Sequence, residues 1–148
     1  MSMKIACLGG GPAGLYFAIS MKLRDASHDI TVIERNRADD TFGWGVVLSD
    51  ETLANLKNND PVSAEAIQKF FAYWDDIALV HRGERLVSSG HGFCGIGRRK
   101  LLELLQERAV ALGVKLEFET EIDDIEALCD QHDLVIAADG VNSRTRAH

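Results

Sequence analysis

The chain lacks the features that mark a secreted, metal-built or nucleic-acid-binding protein. It has three cysteines, Cys7, Cys94 and Cys129. They are odd in number, far apart and outside any C-x-x-C or Cys/His spacing, so neither a disulfide framework nor a zinc site follows. Cys7 falls inside an apolar strand pattern, where a small thiol reads as core filler. No run of Lys or Arg is present and the formal charge is -7, which argues against a nucleic-acid groove or an anionic membrane surface as partner. One local basic cluster, Arg98-Arg99-Lys100, is left to explain. No apolar stretch reaches membrane length, and the first one, Ile5 to Leu8, is too short for a leader and runs straight into glycines. A cytoplasmic protein is expected. Internal repeats, low-complexity tracts and linkers are also missing.

What is present is the composition of one globular domain. At 46% hydrophobic and 26% charged over 148 residues, the chain can bury a core of its own. Residues 1-148 are therefore read as a single domain with no second one. Periodicity predicts a strand over Lys4 to Leu8, a helix over Ala13 to Arg24 with Leu15, Phe17, Ala18 and Met21 apolar, and a second strand over Ile30 to Glu34. Asn36 to Ser49 is polar and glycine-containing and reads as a loop, after which Asp50 offers an N-cap for Glu51 to Lys57. A further helix is expected after Pro61. Ile77 to Val80 and Arg85 to Ser88, separated by Arg82-Gly83-Glu84, predict a small antiparallel hairpin. Leu101, Leu105 and Leu112 mark a helix from Arg98 to Leu112, with Gly113 as its stop. Val114 to Phe118 predicts a strand, Asp123 to Cys129 a short helix, and Leu134 to Ala138 a buried parallel strand. This order implies an α/β fold with a mostly parallel sheet.

The chemistry starts at Gly9-Gly10-Gly11-Pro12-Ala13-Gly14, a G-x-G-x-x-G run with a strand before it and a helix after it. Gly9 permits the tight turn, Gly11 keeps side chains away from a pyrophosphate, and Gly14 lets the helix approach the sheet. The helix N-terminus beyond Pro12 and Ala13 then offers N–H groups and partial positive charge to phosphate. Glu34, twenty residues past Gly14, ends the second strand where a carboxylate can accept hydrogen bonds from the adenosine ribose. It would repel a ribose 2′-phosphate, which disfavours NADP at this place. FAD and NAD both remain.

The far end of the chain separates them. Asp139-Gly140, Ser143 and Arg146 follow an apolar strand in a pattern that resembles the Asp-Gly motif of the single-component flavoprotein aromatic hydroxylases, the group A flavin monooxygenases. By itself the segment also reads as an Asx turn closing a strand. Glu34-Arg35 after the second strand, and Arg98 with Leu101 and Leu105, resemble the cofactor-contacting positions of that family. The segments Lys4 to Ala18, Phe42-Gly-Trp-Gly-Val-Val-Leu-Ser-Asp50 and Ser89-Gly-His-Gly-Phe-Cys-Gly-Ile-Gly-Arg98 are similar to its aryl-CoA hydroxylase branch, that of the salicylyl-CoA 5-hydroxylases and 2-aminobenzoyl-CoA monooxygenases.

The resemblance implies a Rossmann-like FAD-binding fold, FAD as cofactor, NAD(P)H as reductant and an aromatic or aryl-CoA substrate. It covers this whole chain but only the beginning of such enzymes, since the downstream Gly-Asp motif and the sheet over the substrate are missing. The chain is thus expected to be a truncated FAD-binding part, inactive alone. Where many members place arginines, this sequence reads Phe42 to Val47. Val47 is then positioned to line the flavin edge, while Trp44 is either a ring near flavin or substrate or a loop anchor. His91, between two glycines, suits a mobile loop, yet a lone histidine is more often structural or solvated. No catalytic side chain is assigned, because the flavin would carry the reaction and the protein would bind, orient and exclude water. Two other readings stand beside this one: an NAD-binding dehydrogenase fragment, and a non-catalytic nucleotide-binding module.

Overall fold

The computed structural model describes residues 1–147. In chain order, the elements are β1 (Lys4–Leu8), α1 (Pro12–Arg24), β2 (Asp29–Ile33), β3 (Gly45–Leu48), α2 (Asp50–Asn59) and α3 (Pro61–Gln68). Then come β4 (Ala72–Trp74), β5 (Ile77–His81), β6 (Glu84–Ser88), β7 (Phe93–Gly97), α4 (Arg98–Ala111), β8 (Lys115–Glu117), α5 (Ile125–Asp130) and β9 (Leu134–Ala137), before a short 3-10 turn. Two compact units emerge: Met1–Thr41 together with the chain from Leu101 onward, and Phe42–Lys100.

The first unit holds a parallel sheet in the order β8-β2-β1-β9. Its register sets Lys4 to Leu8 against Asp29 to Ile33 on one side, and Ile5 to Leu8 against Leu134 to Ala137 on the other. Being central, β1 is sealed on both faces: Ile5, Ala6 and Cys7 have no exposed surface. Cys7 is core filler, fully buried, and that burial pushes its thiol up to about 12. α1 buries Leu15 and Ala18 as expected, together with Gly14 and Ile19, while Phe17 and Met21 are only half-buried. On the other side, Ala6, Leu8, Ile33, Ile125 and Leu128 form an apolar cluster with Val135 packed against it.

The expectation for the last strand needs correction. β9 is parallel, as predicted, but its residues are half-buried and Ala137 is exposed. Among the described residues it is an edge strand, so its continuous apolar run does not bring burial on both faces. The expected helix Asp123 to Cys129 starts instead at Ile125, because the Asp124 side chain caps it by accepting from Ala127 N at 2.9 Å.

The second unit is antiparallel, with a three-stranded sheet β3-β7-β4 and the separate hairpin β5-β6. The predicted hairpin is present, and Leu79 faces Leu86 across it. Its two-residue turn uses Arg82 and Gly83, both at positive φ (50° and 84°), the twist that a tight hairpin needs. The loop predicted over Asn36 to Ser49 contains β3, whose partner β7 lies almost fifty residues away and gives no local signal. The N-cap of α2 is Ser49, which accepts from Thr52 N, and Asp50 is the first helical residue rather than the cap.

Candidate cofactor site

The glycine turn sits where β1 ends. Gly9 N donates to Ile33 O at 2.8 Å and Ala138 N donates to Leu8 O at 2.7 Å, so the turn is tied to both neighbouring strands. Gly9 has φ +111°, and a Cβ there would strike the Ala138 carbonyl oxygen. A Cβ on Gly14 would strike the Gly9 carbonyl oxygen and lie 3.4 Å from Ala138 Cβ, which is the close helix approach expected of this glycine. Gly11 differs. Nothing lies within 4 Å of a Cβ placed on it, so its bareness serves no packing purpose inside the chain.

Gly11 is also the N-cap of α1, carries no capping side chain, and is followed by Pro12 at the start of the helix. The first turn holds no acidic residue. Its free N–H groups and the helix dipole therefore meet no anion from the helix's own first turn, and the space beside Gly11 is open.

Glu34 stands directly after β2. Its Oε2 accepts from Gly10 N at 2.7 Å, and its Oε1 accepts from Asn36 N at 2.8 Å and Asn36 Nδ2 at 2.7 Å. A carboxylate has roughly four acceptor positions, so three donors orient the group and leave it room for a further donor. Gly10, given no role by the sequence, is now explained: a Cβ there would come within 2.9 Å of Glu34 Cβ. The run of three glycines was the available signal.

Asp139, Gly140, Ser143 and Arg146 come together in one turn. Asp139 Oδ2 accepts from Arg144 N at 3.0 Å, Thr145 N at 3.4 Å and Thr145 Oγ1 at 3.0 Å. Ser143 Oγ accepts from Arg146 N at 3.1 Å, and Arg146 Nη2 donates to Gly140 O at 3.4 Å. Partial burial pushes the Asp139 carboxyl up, but the hydroxyls of Ser143 and Thr145 and the Thr145 N–H outweigh it and hold the group below its ordinary value. The side chain thus organises its own turn, while its backbone N borders Gly9.

Of the remaining predicted residues, Arg35 is exposed in the first unit. Val47 and Arg98 belong to the second: Val47 is exposed on β3 opposite Gly95, and Arg98 opens α4 with its N–H on the Trp44 carbonyl at 3.1 Å. Trp44 is 99% exposed, so the loop-anchor reading of it fails. His91 is exposed but hydrogen-bonded, with Nε2 2.8 Å from Ser88 Oγ. Among the described residues no cluster of His, Cys, Asp or Glu could hold a metal, and no helix is long and apolar enough to cross a membrane.

A strand, a glycine turn, a helix with an open N-terminus and an oriented glutamate after the second strand define a dinucleotide-binding unit. The chain matches the family described as FAD binding domain over residues 2–148 and belongs to that family, which decides between FAD and NAD. It is 49% identical over 144 residues to a salicyloyl-CoA 5-hydroxylase of Streptomyces sp, covering 97% of this chain and 28% of that protein. A 3-hydroxy-4-methyl-anthranilyl-[aryl-carrier protein] 5-monooxygenase of Streptosporangium sibiricum is 34% identical over 147 residues, covering 99% of this chain and 40% of the relative. The chain therefore spans well under half the length of these relatives. Among solved structures, native FqzB superposes with a TM-score of 0.79 at 21% identity, covering 98% of this chain and 37% of that one. The Y270A mutant of 2-methyl-3-hydroxypyridine-5-carboxylic acid oxygenase gives 0.71 at 22% identity, covering 82% and 32%. These two likenesses establish the fold.

Proposed function

We propose that this chain is the FAD-binding part of an NAD(P)H-dependent aromatic hydroxylase whose substrate is an aryl-CoA thioester. The observation that carries the reading is the glycine turn: two glycines that packing requires, and between them Gly11, which packing does not. The 49% identity to a salicyloyl-CoA 5-hydroxylase supports the substrate class. Backbone N–H groups of Gly11, Ala13 and Gly14 would hold the pyrophosphate, with Gly9 and Pro12 shaping the turn. Glu34, already oriented by Gly10 and Asn36, accepts the ribose hydroxyls of the adenosine. Arg35 and Arg98 would supply positive charge to the cofactor, Val47 would line the flavin edge, and the Asp139 turn brings its own backbone N beside Gly9.

When bound, the flavin supplies the redox chemistry with the nicotinamide nucleotide and oxygen. The part of this chain is to bind, orient and keep water away. Without the remaining length of its relatives, the isolated chain holds FAD weakly and does not couple NAD(P)H oxidation to hydroxylation. Titration with FAD, NAD and NADPH, followed by an oxidation assay with salicyloyl-CoA, tests this. Saturable binding of FAD alone, without turnover, is the expected result; preference for NAD would overturn the assignment.

A further inference from the structure

The β3-β7-β4 sheet breaks the rule that an antiparallel sheet with one buried face turns polar side chains to the other. Val46, Leu48, Cys94 and Ile96 share one face by register, and Cys94 and Ile96 are 1% and 4% exposed. The opposite face presents Gly45, Val47, Ala72, Trp74, Phe93, Gly95 and Gly97. It carries no charged side chain and, apart from the indole N–H of Trp74, no hydrogen-bonding one. Yet Gly45, Ala72 and Gly97 are exposed, and Val47 is 58% exposed. An open face without polar groups marks a contact surface.

Three glycines pave this face, and the molecule itself shows what fits on them. The six-membered edge of the Trp74 indole lies on Gly95, where a Cβ would come within 3.0 Å of its Cζ3 and Cη2. The adjacent pair is Gly45 opposite Gly97: a Cβ on Gly45 would come within 3.0 Å of the Ile96 carbonyl oxygen, whereas nothing lies within 4 Å of a Cβ built on Gly97. On the side of Gly95 away from Gly97, a row of rings backs Trp74: Trp74 and Phe93 have centroids 5.9 Å apart, and His91 stacks on Phe93 at 5.5 Å and 13°. That row is held in place. The Asp75 carboxylate accepts from Gly90 N at 3.2 Å and Gly92 N at 3.0 Å, the Asp75 carbonyl accepts from His91 N at 3.1 Å, and Ser88 Oγ meets the imidazole at 2.8 Å.

We infer that this face is an aryl-binding platform: a planar aromatic ring lies on the Gly45–Gly97 backbone as Trp74 lies on Gly95, with the Trp74 ring as its neighbour on one side. Its occupant, the aryl group of the substrate, rests on the reading given under Proposed function. Gly97 and Trp74 then determine which ring sizes are accepted, and neither belongs to the residues assigned to FAD.

The test uses the whole chain carrying Trp44→Phe, which leaves Trp74 as the single fluorophore of the two tryptophans. 2-Naphthoate is titrated as probe and coenzyme A as control. Saturable quenching by 2-naphthoate but not by coenzyme A is expected, weakened about tenfold by Gly97→Val, in line with the worth of one aromatic stacking contact. Gly97→Ala gives a smaller loss and serves if the valine variant does not fold, as judged by circular dichroism. No saturable quenching, or quenching indifferent to both Gly97 variants, overturns the platform. FAD retention, read from flavin absorbance of the same samples, fails or stands separately, so the loss of one reading is not mistaken for the loss of the other.

Discussion

The two units of the chain hold themselves together by different means. In the first, a parallel sheet is sealed by helices, and its central strand has three residues with no exposed surface. In the second, every residue of the hairpin is exposed, including Leu79, Val80 and Leu86 at 60% to 68%. A two-stranded ribbon with neither face covered is marginal in water by itself. Stability is concentrated in the first unit, and the second presents apolar surface that its own packing does not use.

The sharpest way to break that contrast is a matched pair of truncations. Leu15→Ala in α1, at a site with no exposed surface, should lower stability by about 2–5 kcal/mol in urea denaturation, through lost transfer energy and the cavity left behind. Leu86→Ala in the hairpin should change it by no more than about 0.5 kcal/mol, as surface substitutions do. Equal effects would mean that the hairpin packs against something in solution.

Next come the two glycines of the turn, which separate packing from binding. Gly14→Ala drives a methyl group into the Gly9 carbonyl and should cost about 1–3 kcal/mol of stability together with the FAD site. Gly11→Ala, at φ -75° with open space around its Cβ, should leave the melting temperature unchanged and weaken FAD binding at least tenfold. A Gly11→Ala variant that binds FAD normally would remove the pyrophosphate from its assigned place.

The same contrast explains what the sequence could and could not tell. β1, α1 and α4 were legible because a continuous apolar strand, a G-x-G-x-x-G turn and a leucine stripe are local patterns. β3, β4 and β7 were not. Their residues, Gly45 to Leu48, Ala72 to Trp74 and Phe93 to Gly97, are short or broken by glycine, and they become strands only through pairing with distant partners. At the site, Gly9, Gly11, Gly14 and Glu34 were legible as a fingerprint. The role of Gly10 and the inward turn of the Asp139 carboxylate needed the fold, because both depend on side chains brought in from elsewhere in the chain or folded back within one turn.

That turn yields the smallest effect. Asp139 organises residues 143 to 146 through its carboxylate, so Asp139→Asn should lower stability by roughly 0.5–1.5 kcal/mol, the net worth of a hydrogen bond or so. The pH dependence gives the sign. Because the folded pKa lies below the ordinary 3.8, the folded state binds this proton less readily than the unfolded chain. The contribution is therefore fully present above the ordinary value and disappears as pH falls through the lower folded one. Comparing parent and Asp139→Asn by urea denaturation from pH 7 down to pH 3 should show the gap between them closing only at the acid end. A gap that is constant throughout would mean that the carboxylate's charge does not hold the turn, and that the backbone after β9 closes without it.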